Sequence, residues 1–351
     1  MNQLKRKHLG YCAMFEQFHP NDLLDYCVLA EKLGFGGVMA SDHFAPWVPS
    51  QGQSAFVWTW LGAYGARCGL PVGTAVTPPG YRFHPAVIAH MAATVSAMFP
   101  GKFWLGLGAG EALNEHILGD YWPEAHERVE RLLEGIEVIR KLFTGKEVKH
   151  QGKHFKMESC RLWTMPETPP PILIASSGPV MSRNTGKLAD GFITVGAADD
   201  KLKMLVGKFE EGAKSENKDV AVMPRYIQLH VSWAKTQEEA EENAIREWPN
   251  GGMNFAKADI RYPEVFEAIA KMVRPEHFKG RVFMSNDLDK HAEFINHFYS
   301  LGFDAVYVHN VGKNQVEFLE EYKRNVIPSL NLSDTPPRPP QGGELSDTSS
   351  T

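Results

Sequence analysis

Residues His8–Phe44, "HLGYCAMFEQFHPNDLLDYCVLAEKLGFGGVMASDHF", change their apolar rhythm twice. The opening "HLGYCAMFE" is a short apolar run of the kind that forms a buried strand. "PNDLLDYCVLAEKLG" then puts Leu24, Cys27 and Val28 on one helical face, with Asn21 or Asp22 as the expected cap and Gly34 as the stop. "FGGVMASDHF" returns to strand. A strand, a helix and a second strand in so little chain is the unit from which parallel sheets are built.

The same unit recurs on the carboxyl-terminal side. "LPVGTAVTPP" reads as a third strand, and "HPAVIAHMAATVSAMFPG" as a helix with proline near its start and Pro-Gly at its end. "KFWLGLGAGE" is the fourth strand. "HERVERLLEGIEVIRKLFTG" places Val129, Leu132, Leu133, Ile136, Ile139 and Leu142 at helical spacing between charges, which describes a helix lying on a sheet. The rhythm breaks at "KEVKHQGKHFKMESCRLWTMPETPP", read as a hairpin and loop, and resumes with "PILIASSGP", "DGFITVGAA" and "RYIQLHVSWAK" as strands five to seven. An irregular stretch from Trp248 to Arg281 precedes the eighth strand, "DAVYVHNVG", and the last helix, "NQVEFLEEYKRNVIP". Eight strands alternating with helices predict an α/β chain folded as a (β/α)8 TIM barrel, with insertions after strands 4 and 7. The barrel is expected over residues 1–330. The tail 331–351, rich in Pro, Ser, Thr and Gly, has little to bury and is expected to be disordered.

Composition narrows the function classes. With 43% hydrophobic and 23% charged residues, the 351-residue chain can bury a sizeable core. A net charge of −5 without a Lys/Arg block disfavours nucleic acid as a partner. Cys12, Cys27, Cys68 and Cys160 lack metal or disulfide spacing, which suits a reducing, cytoplasmic setting. No apolar run reaches membrane-spanning length, so neither secretion nor membrane insertion is expected.

Barrel enzymes work at the carboxyl ends of their strands. Strand one ends in Glu16, strand two in Asp42, His43 and Trp47, strand three in "TAVTPP", strand four in "GAGEALNE" and strand five in "ASSGP". His43, Glu16 and Glu111 supply acid/base groups, Trp47 an aromatic wall, and Gly108 and Gly110 let backbone come close to a planar ligand. The "GLGAGEA" glycines do not follow the dinucleotide spacing and sit on a fourth strand. His116, His126, His150 and His154 lack tight metal-ligand spacing and read as solvated surface histidines, so no metal is expected. The aromatic residues of "AFVWTWLGAYGARC" fit helix packing and a substrate wall equally.

Taken together, "EQFHP", "SDHFAPW", "GTAVTPPGYRFHPAVIA", "GLGAGEALNE" and "SSGP" resemble the luciferase-like barrel superfamily, over about residues 9 to 329. Within it they resemble the deazaflavin (coenzyme F420)-dependent sugar-phosphate and secondary-alcohol dehydrogenases. That resemblance implies hydride transfer between an alcohol carbon and C5 of the deazaflavin, and a homodimer. It implies His43 as the base taking the hydroxyl proton and Trp47 as the indole beside the substrate. Glu111 would protonate or steady the reduced ring, and Glu16 would stand at the base of the substrate pocket. Asp42, Pro78, Ala109 and Asn114 would complete the lining, and Ala75–Val76 would be a non-prolyl cis peptide against the ring. Ala175, Ser176, Ser177, Gly178 and Pro179 would hold the cofactor's phosphate-bearing tail. The family's phosphate cluster of two lysines and an arginine is only partly matched. Arg281 fits the arginine, Ala198 and Ala258 occupy the lysine positions, and Lys257 or Lys201 could substitute. A neutral sugar, a secondary alcohol or a phosphorylated compound gripped differently is therefore expected over glucose 6-phosphate. The alternatives are a flavin mononucleotide (FMN)-dependent monooxygenase on the same barrel and a non-catalytic flavin- or deazaflavin-binding protein.

Overall fold

The computed structural model describes residues 6–332, so the expected disorder of the tail concerns residues that lie, beyond Leu332, outside the described ones. Eleven strands are present among them: β1 (His8–Ala13), β2 (Val38–Ala40), β3 (Val72–Thr74), β4 (Phe103–Leu107), β5 (Val148–Gln151), β6 (Lys156–Cys160), β7 (Ile172–Ala175), β8 (Gly191–Val195), β9 (Arg225–Ser232), β10 (Val282–Met284) and β11 (Ala305–Asn310). The helices are α1 (Pro20–Lys32), α2 (Val57–Arg67), α3 (Pro85–Met98), α4 (Ala112–Glu115), α5 (Ala125–Leu142), α6 (Pro179–Leu188), α7 (Asp199–Ser215), α8 (Gln237–Glu247), α9 (Pro263–Ala270), α10 (Leu288–Ser300) and α11 (Gln315–Glu321), with short 3-10 turns between elements and a π-helical turn at Tyr322–Val326.

Parallel pairing runs β11-β1-β2-β3-β4-β7-β8, and β9 closes the circle by pairing with both β8 and β11. The result is the expected (β/α)8 barrel. β10 is an addition the sequence did not signal: its three residues pair with His230 to Ser232, along the upper half of β9 whose lower half faces β8. The antiparallel pair β5–β6 forms the hairpin expected after strand four. The stretch after strand seven is less irregular than expected, because Pro263 opens α9 within it.

Side chains alternate along each strand. Leu9, Tyr11 and Ala13 pack outward with the helices, whereas Cys12 and Met14 belong to a second cluster with Trp104, Leu173, Tyr226 and Tyr307. Trp104 touches Tyr226 and Tyr307 although β4 neighbours neither β9 nor β11, so these rings meet across the barrel interior. Gly73 makes room for the indole: a Cβ there would lie 1.9 Å from Trp104 Cδ2. The lower barrel is thus plugged, and only the carboxyl-terminal end is left open for a ligand.

The first helix is capped differently from the expectation. His19, not Asn21 or Asp22, is the N-cap of α1, its ring accepting from Asn21 N at 3.3 Å with Pro20 as the first helical residue. Phe-His-Pro recurs at α3, where His84 accepts from Ala86 N at 3.2 Å. Proline fixes the entry dihedral and has no amide hydrogen to satisfy, so the residue before it becomes the cap.

Candidate active site

The open end of the barrel holds a cavity of about 480 Å³ lined by residues at or just past the ends of β1, β2, β3, β4, β7 and β8 and within β9. Its acid/base centre forms where β1 and β2 end. Ser41 Oγ accepts from Phe15 N at 2.9 Å and donates to Glu16 Oε2 at 2.6 Å, which clasps the two strand ends together. Glu16 is fully buried, and its Oε1 has no hydrogen-bond partner but lies 3.5 Å from His43 Nε2. Glu111 Oε2 stands 4.0 Å from the same nitrogen. Burial raises the Glu111 carboxyl above its ordinary range, against the pull of His43 and Lys257.

On its other side, His43 Nδ1 lies 3.3 Å from Ala45 O and 3.3 Å from Asn114 Nδ2. Asn114 Oδ1 accepts from Phe44 N and Ala45 N, which fixes the amide with its NH2 toward the ring. One neighbour of Nδ1 accepts and the other donates, so both neutral tautomers are supported: Nδ1–H on Ala45 O leaves Nε2 bare, and Nδ1 accepting from Asn114 leaves the hydrogen on Nε2. Trp47 packs 5.3 Å from the imidazole and edge-on against Phe266. Lys257 Nζ lies 5.6 Å from the centre of that indole and donates to Asn250 O at 2.8 Å. Ala112 N, donating to Ala258 O at 2.7 Å, ties the insertion after strand seven to the loop after β4 and so brings Lys257 to the site.

Asp42 touches the cavity, but both its oxygens are engaged: Oδ2 accepts from Thr77 Oγ1 at 2.6 Å and Oδ1 from Arg82 Nη2 at 3.1 Å. Arg82 also reaches the buried Glu115 through Nε at 3.0 Å. The Ala75–Val76 peptide is cis. Val76 leans on Gly108, where a Cβ would lie 2.4 Å from its Cγ2. Ala75, Val76, Pro78, Gly108, Ala109, Gly110, Ala175 and Ser177 form one wall of the cavity.

Three expected residues stand apart from that wall. The Ser176 hydroxyl is shared with Thr185 Oγ1 at 2.7 Å, so its side chain braces α6 against the barrel instead of facing the ligand space. Gly178 and Pro179 begin α6, beyond the cavity lining, with open space beside Gly178. Arg281 is also outside the main cavity: Nη1 donates to Met253 O at 3.3 Å and Nη2 meets Asn254 Oδ1. It lines a second cavity of about 320 Å³ with Ala198, Phe283, Phe294 and Phe298, and His230 borders both. Lys201 is exposed on α7.

Sequence reasoning missed the cavity floor of Met14, Gln228, His230 and Trp248. The signal was present in "RYIQLHVSW", where Gln228 and His230 stand two apart on an otherwise apolar strand. Trp58 and Trp60 do not line the cavity but bury themselves among the helices, which decides for packing at α2. His150 and His154 are not solvated as expected: their side chains are largely buried against Glu134 and Glu130. Among the described residues no group of three or more His, Cys, Asp or Glu side chains is placed to hold a metal, and no helix is long and apolar enough to cross a membrane.

Residues 7–305 match the family model described as luciferase-like monooxygenase. An F420-dependent glucose-6-phosphate dehydrogenase of Microbacterium testaceum is 37% identical over 92% of this chain and 96% of its own. An F420-dependent secondary alcohol dehydrogenase, solved with an F420-acetone adduct, superposes with a TM-score of 0.88 at 29% identity, over 93% of this chain and 99% of its own. An F420-dependent tetrahydromethanopterin reductase of Methanopyrus kandleri, 18% identical with a TM-score of 0.76 over 92% of this chain and 99% of its own, shares the fold.

Proposed function

The chain belongs to the luciferase-like monooxygenase family, and from that premise we propose that it is an oxidoreductase dependent on deazaflavin coenzyme F420, passing hydride between the cofactor and a secondary alcohol or its carbonyl form. The observation that carries the reading is His43 Nε2, which faces the cavity between two carboxylates while Nδ1 is held from behind. Relatives that share most of this chain's length carry F420-dependent dehydrogenase names, which supports the choice of deazaflavin over FMN.

The residues present fit that cofactor. Side-chain-free Gly108 leaves room for Val76 at the cavity wall, and Glu16 Oε1 is a buried acceptor without a hydrogen bond. Ala75, Val76, Pro78, Gly108, Ala109 and Gly110 would lie against the ring system, with Asn114 at its margin. Ala175, Ser177, Gly178 and Pro179 would face the anionic tail, where the amino end of α6 offers free amide hydrogens. When bound, the deazaflavin supplies a ring carbon that takes up hydride, and carbon at that position disfavours oxygen adducts.

Removing hydride from a carbinol builds a carbonyl only if the hydroxyl proton also leaves. With Nδ1–H donated to Ala45 O, His43 Nε2 is bare and can take that proton. The imidazolium so formed is flanked by Glu16 at 3.5 Å and Glu111 at 4.0 Å. Glu111, its carboxyl raised by burial, is the acid placed to exchange a proton at the cofactor side. Trp47 closes the substrate side.

For the substrate the reading favours a neutral alcohol or sugar over a phosphorylated one. Ala198 brings no charge, the Arg281 guanidinium is engaged by Met253 and Asn254, and Lys257 is held by Asn250. A dianion would have to displace the oxygen partners that Lys257 and Arg281 already have. The same reading takes residues 1–330 as one barrel working in the cytoplasm as a homodimer, consistent with the four free cysteines and tested by light scattering.

The decisive experiment titrates the purified protein with oxidised deazaflavin and with FMN, then adds sugars, sugar phosphates and secondary alcohols under anaerobic conditions. Bleaching of bound deazaflavin by neutral alcohols is expected, with glucose 6-phosphate a poorer reductant. Preference for FMN without bleaching would overturn the assignment. His43→Ala is expected to keep cofactor binding and to lose about 10²–10⁴-fold in kcat; undiminished turnover would remove His43 from its role.

A further inference from the structure

A hydrogen-bond chain beneath the cavity fixes the protonation pattern of a histidine that no role above uses. Its anchor is Gln17, fully enclosed behind β1. Gln17 Nε2 donates to Glu247 O at 3.1 Å and to Val311 O at 3.0 Å. Both acceptors are backbone carbonyls, so the amide cannot be turned over and Oε1 must point the other way.

The next partner is His309 on β11, whose Nε2 lies 2.7 Å from Gln17 Oε1. That oxygen only accepts, so His309 Nε2 carries the hydrogen. Neutral imidazole has one N–H, which leaves His309 Nδ1 bare. His230 Nδ1 on β9 lies 2.9 Å from it. His230 must therefore donate from Nδ1, which leaves its own Nε2 without a hydrogen. Each step is forced by the one before it.

The chain holds only if both rings stay neutral. Burial presses His309 well below the ordinary histidine range and His230 down to about 4, helped in the latter by the nearby Lys257 charge. Trp248 packs on both rings, at 4.5 Å from His309 and 5.4 Å from His230, and keeps their planes in place. No donor among the described residues reaches His230 Nε2, yet His230 borders both the main cavity and the second, phenylalanine-lined one. A bare imidazole nitrogen at such a junction is an acceptor waiting for a ligand hydroxyl or amide hydrogen.

We propose that His230 is a substrate-specificity residue, an obligate hydrogen-bond acceptor for a second hydroxyl group of the substrate, held in that state by His309 and Gln17. The inference rests on the dehydrogenase reading and narrows it. The preferred substrate carries a hydroxyl in addition to the one oxidised, as a diol or neutral sugar does, and simple mono-alcohols leave His230 unsatisfied. Gln17 and His309 are positioning residues that act through the His230 ring.

Matched substrates separate this from a general loss of activity. In the enzyme reconstituted with deazaflavin, kcat/KM for 2,3-butanediol is compared with that for 2-butanol. The wild type is expected to favour the diol, and His230→Phe to reduce the ratio about ten-fold, the worth of one hydrogen bond. His309→Phe, which frees the His230 tautomer, is expected to reduce the ratio less. An unchanged ratio in a His230→Phe protein that still binds cofactor overturns the proposal, as does weakened cofactor binding with the diol preference intact. Independently of turnover, long-range ¹H–¹⁵N correlation of the wild type with labelled histidine reads the tautomers at neutral pH. Nδ1–H at His230 and Nε2–H at His309 support the chain; Nε2–H or an imidazolium at His230 overturns it. If no alcohol bleaches the wild-type cofactor, the dehydrogenase reading itself fails, and the spectra still report on His230.

Discussion

Arg82 shows how much of the site depends on one side chain outside the chemistry. Its guanidinium lies between Asp42 and Glu115, whose side chains are 1% and 0% exposed, and it also donates to the Asp42 carbonyl. Burial raises the Glu115 carboxyl, and Arg82 is the charge that opposes the shift. Removing the cation leaves two carboxylates buried without compensation, a loss of about 3–5 kcal/mol for a pair broken from one side. Arg82→Met is expected to lose that much in urea unfolding, with Arg82→Lys intermediate because an ammonium cannot fork across both acids. A loss below about 1 kcal/mol would place the pair with ordinary surface bridges. Because Asp42 directly precedes His43, the methionine variant is also expected to lower kcat in protein that remains folded.

At the scale of elements, the working surface is made where strands end and backbones come together. Gly108, one residue past β4, touches Val76 across the gap to the loop after β3. A methyl group there forces the two apart, an overpacking that costs about 1–3 kcal/mol, so Gly108→Ala is expected to weaken deazaflavin binding about ten-fold in an absorbance titration while the barrel still melts cooperatively. Unaltered affinity would remove that wall from the cofactor site. Such strand ends were legible in the sequence because each places a polar residue after a buried apolar run, and this is how Glu16, His43 and Glu111 were found. The helices α1 and α5 were legible from their 3.6-residue period. β10 was not, since three residues carry no period and its partner, β9, lies some fifty positions earlier. α9 was hidden inside a stretch dominated by Pro, Gly and aromatic residues. The contacts Arg82–Asp42, Gln17–His309 and Ala112–Ala258 join distant segments, and nothing local announces them. The capping histidines were missed for a different reason: Asn and Asp are the stronger general caps, and proline's position overrode that preference.

The whole barrel buries histidines from end to end in the neutral state, and this sets its response to acid. His8 at the lower rim, His230 and His309 under the cavity and His291 behind β10 are all pressed below their ordinary value by burial, His230 and His291 to about 4. His291 is fully enclosed, with Nδ1 2.7 Å from Tyr322 Oη and Nε2 2.9 Å from Ser285 O. Unfolding restores each ring to a value near 6.5. Between the two values the unfolded chain binds more protons than the folded one, so stability rises with pH across this window and falls as pH drops from about 6.5 toward 4. Above about 6.5 both states are neutral and the effect is absent. For His291 the full loss is on the order of 3 kcal/mol. Glu111 and Glu115 act in the opposite sense: with carboxyls raised by burial, they favour the folded state as pH falls toward their unfolded value of 4.5. With His84, lowered by burial in the same way, five histidines stand against two raised carboxylates and leave a net acid sensitivity. Melting temperatures measured from pH 7.5 to 5 are expected to decline below about pH 6.5, and His291→Gln is expected to flatten the decline even if it lowers stability at neutral pH. A melting temperature that holds or rises as the pH is lowered to 5 would mean that the raised carboxylates outweigh the buried histidines, against the balance drawn from their burial.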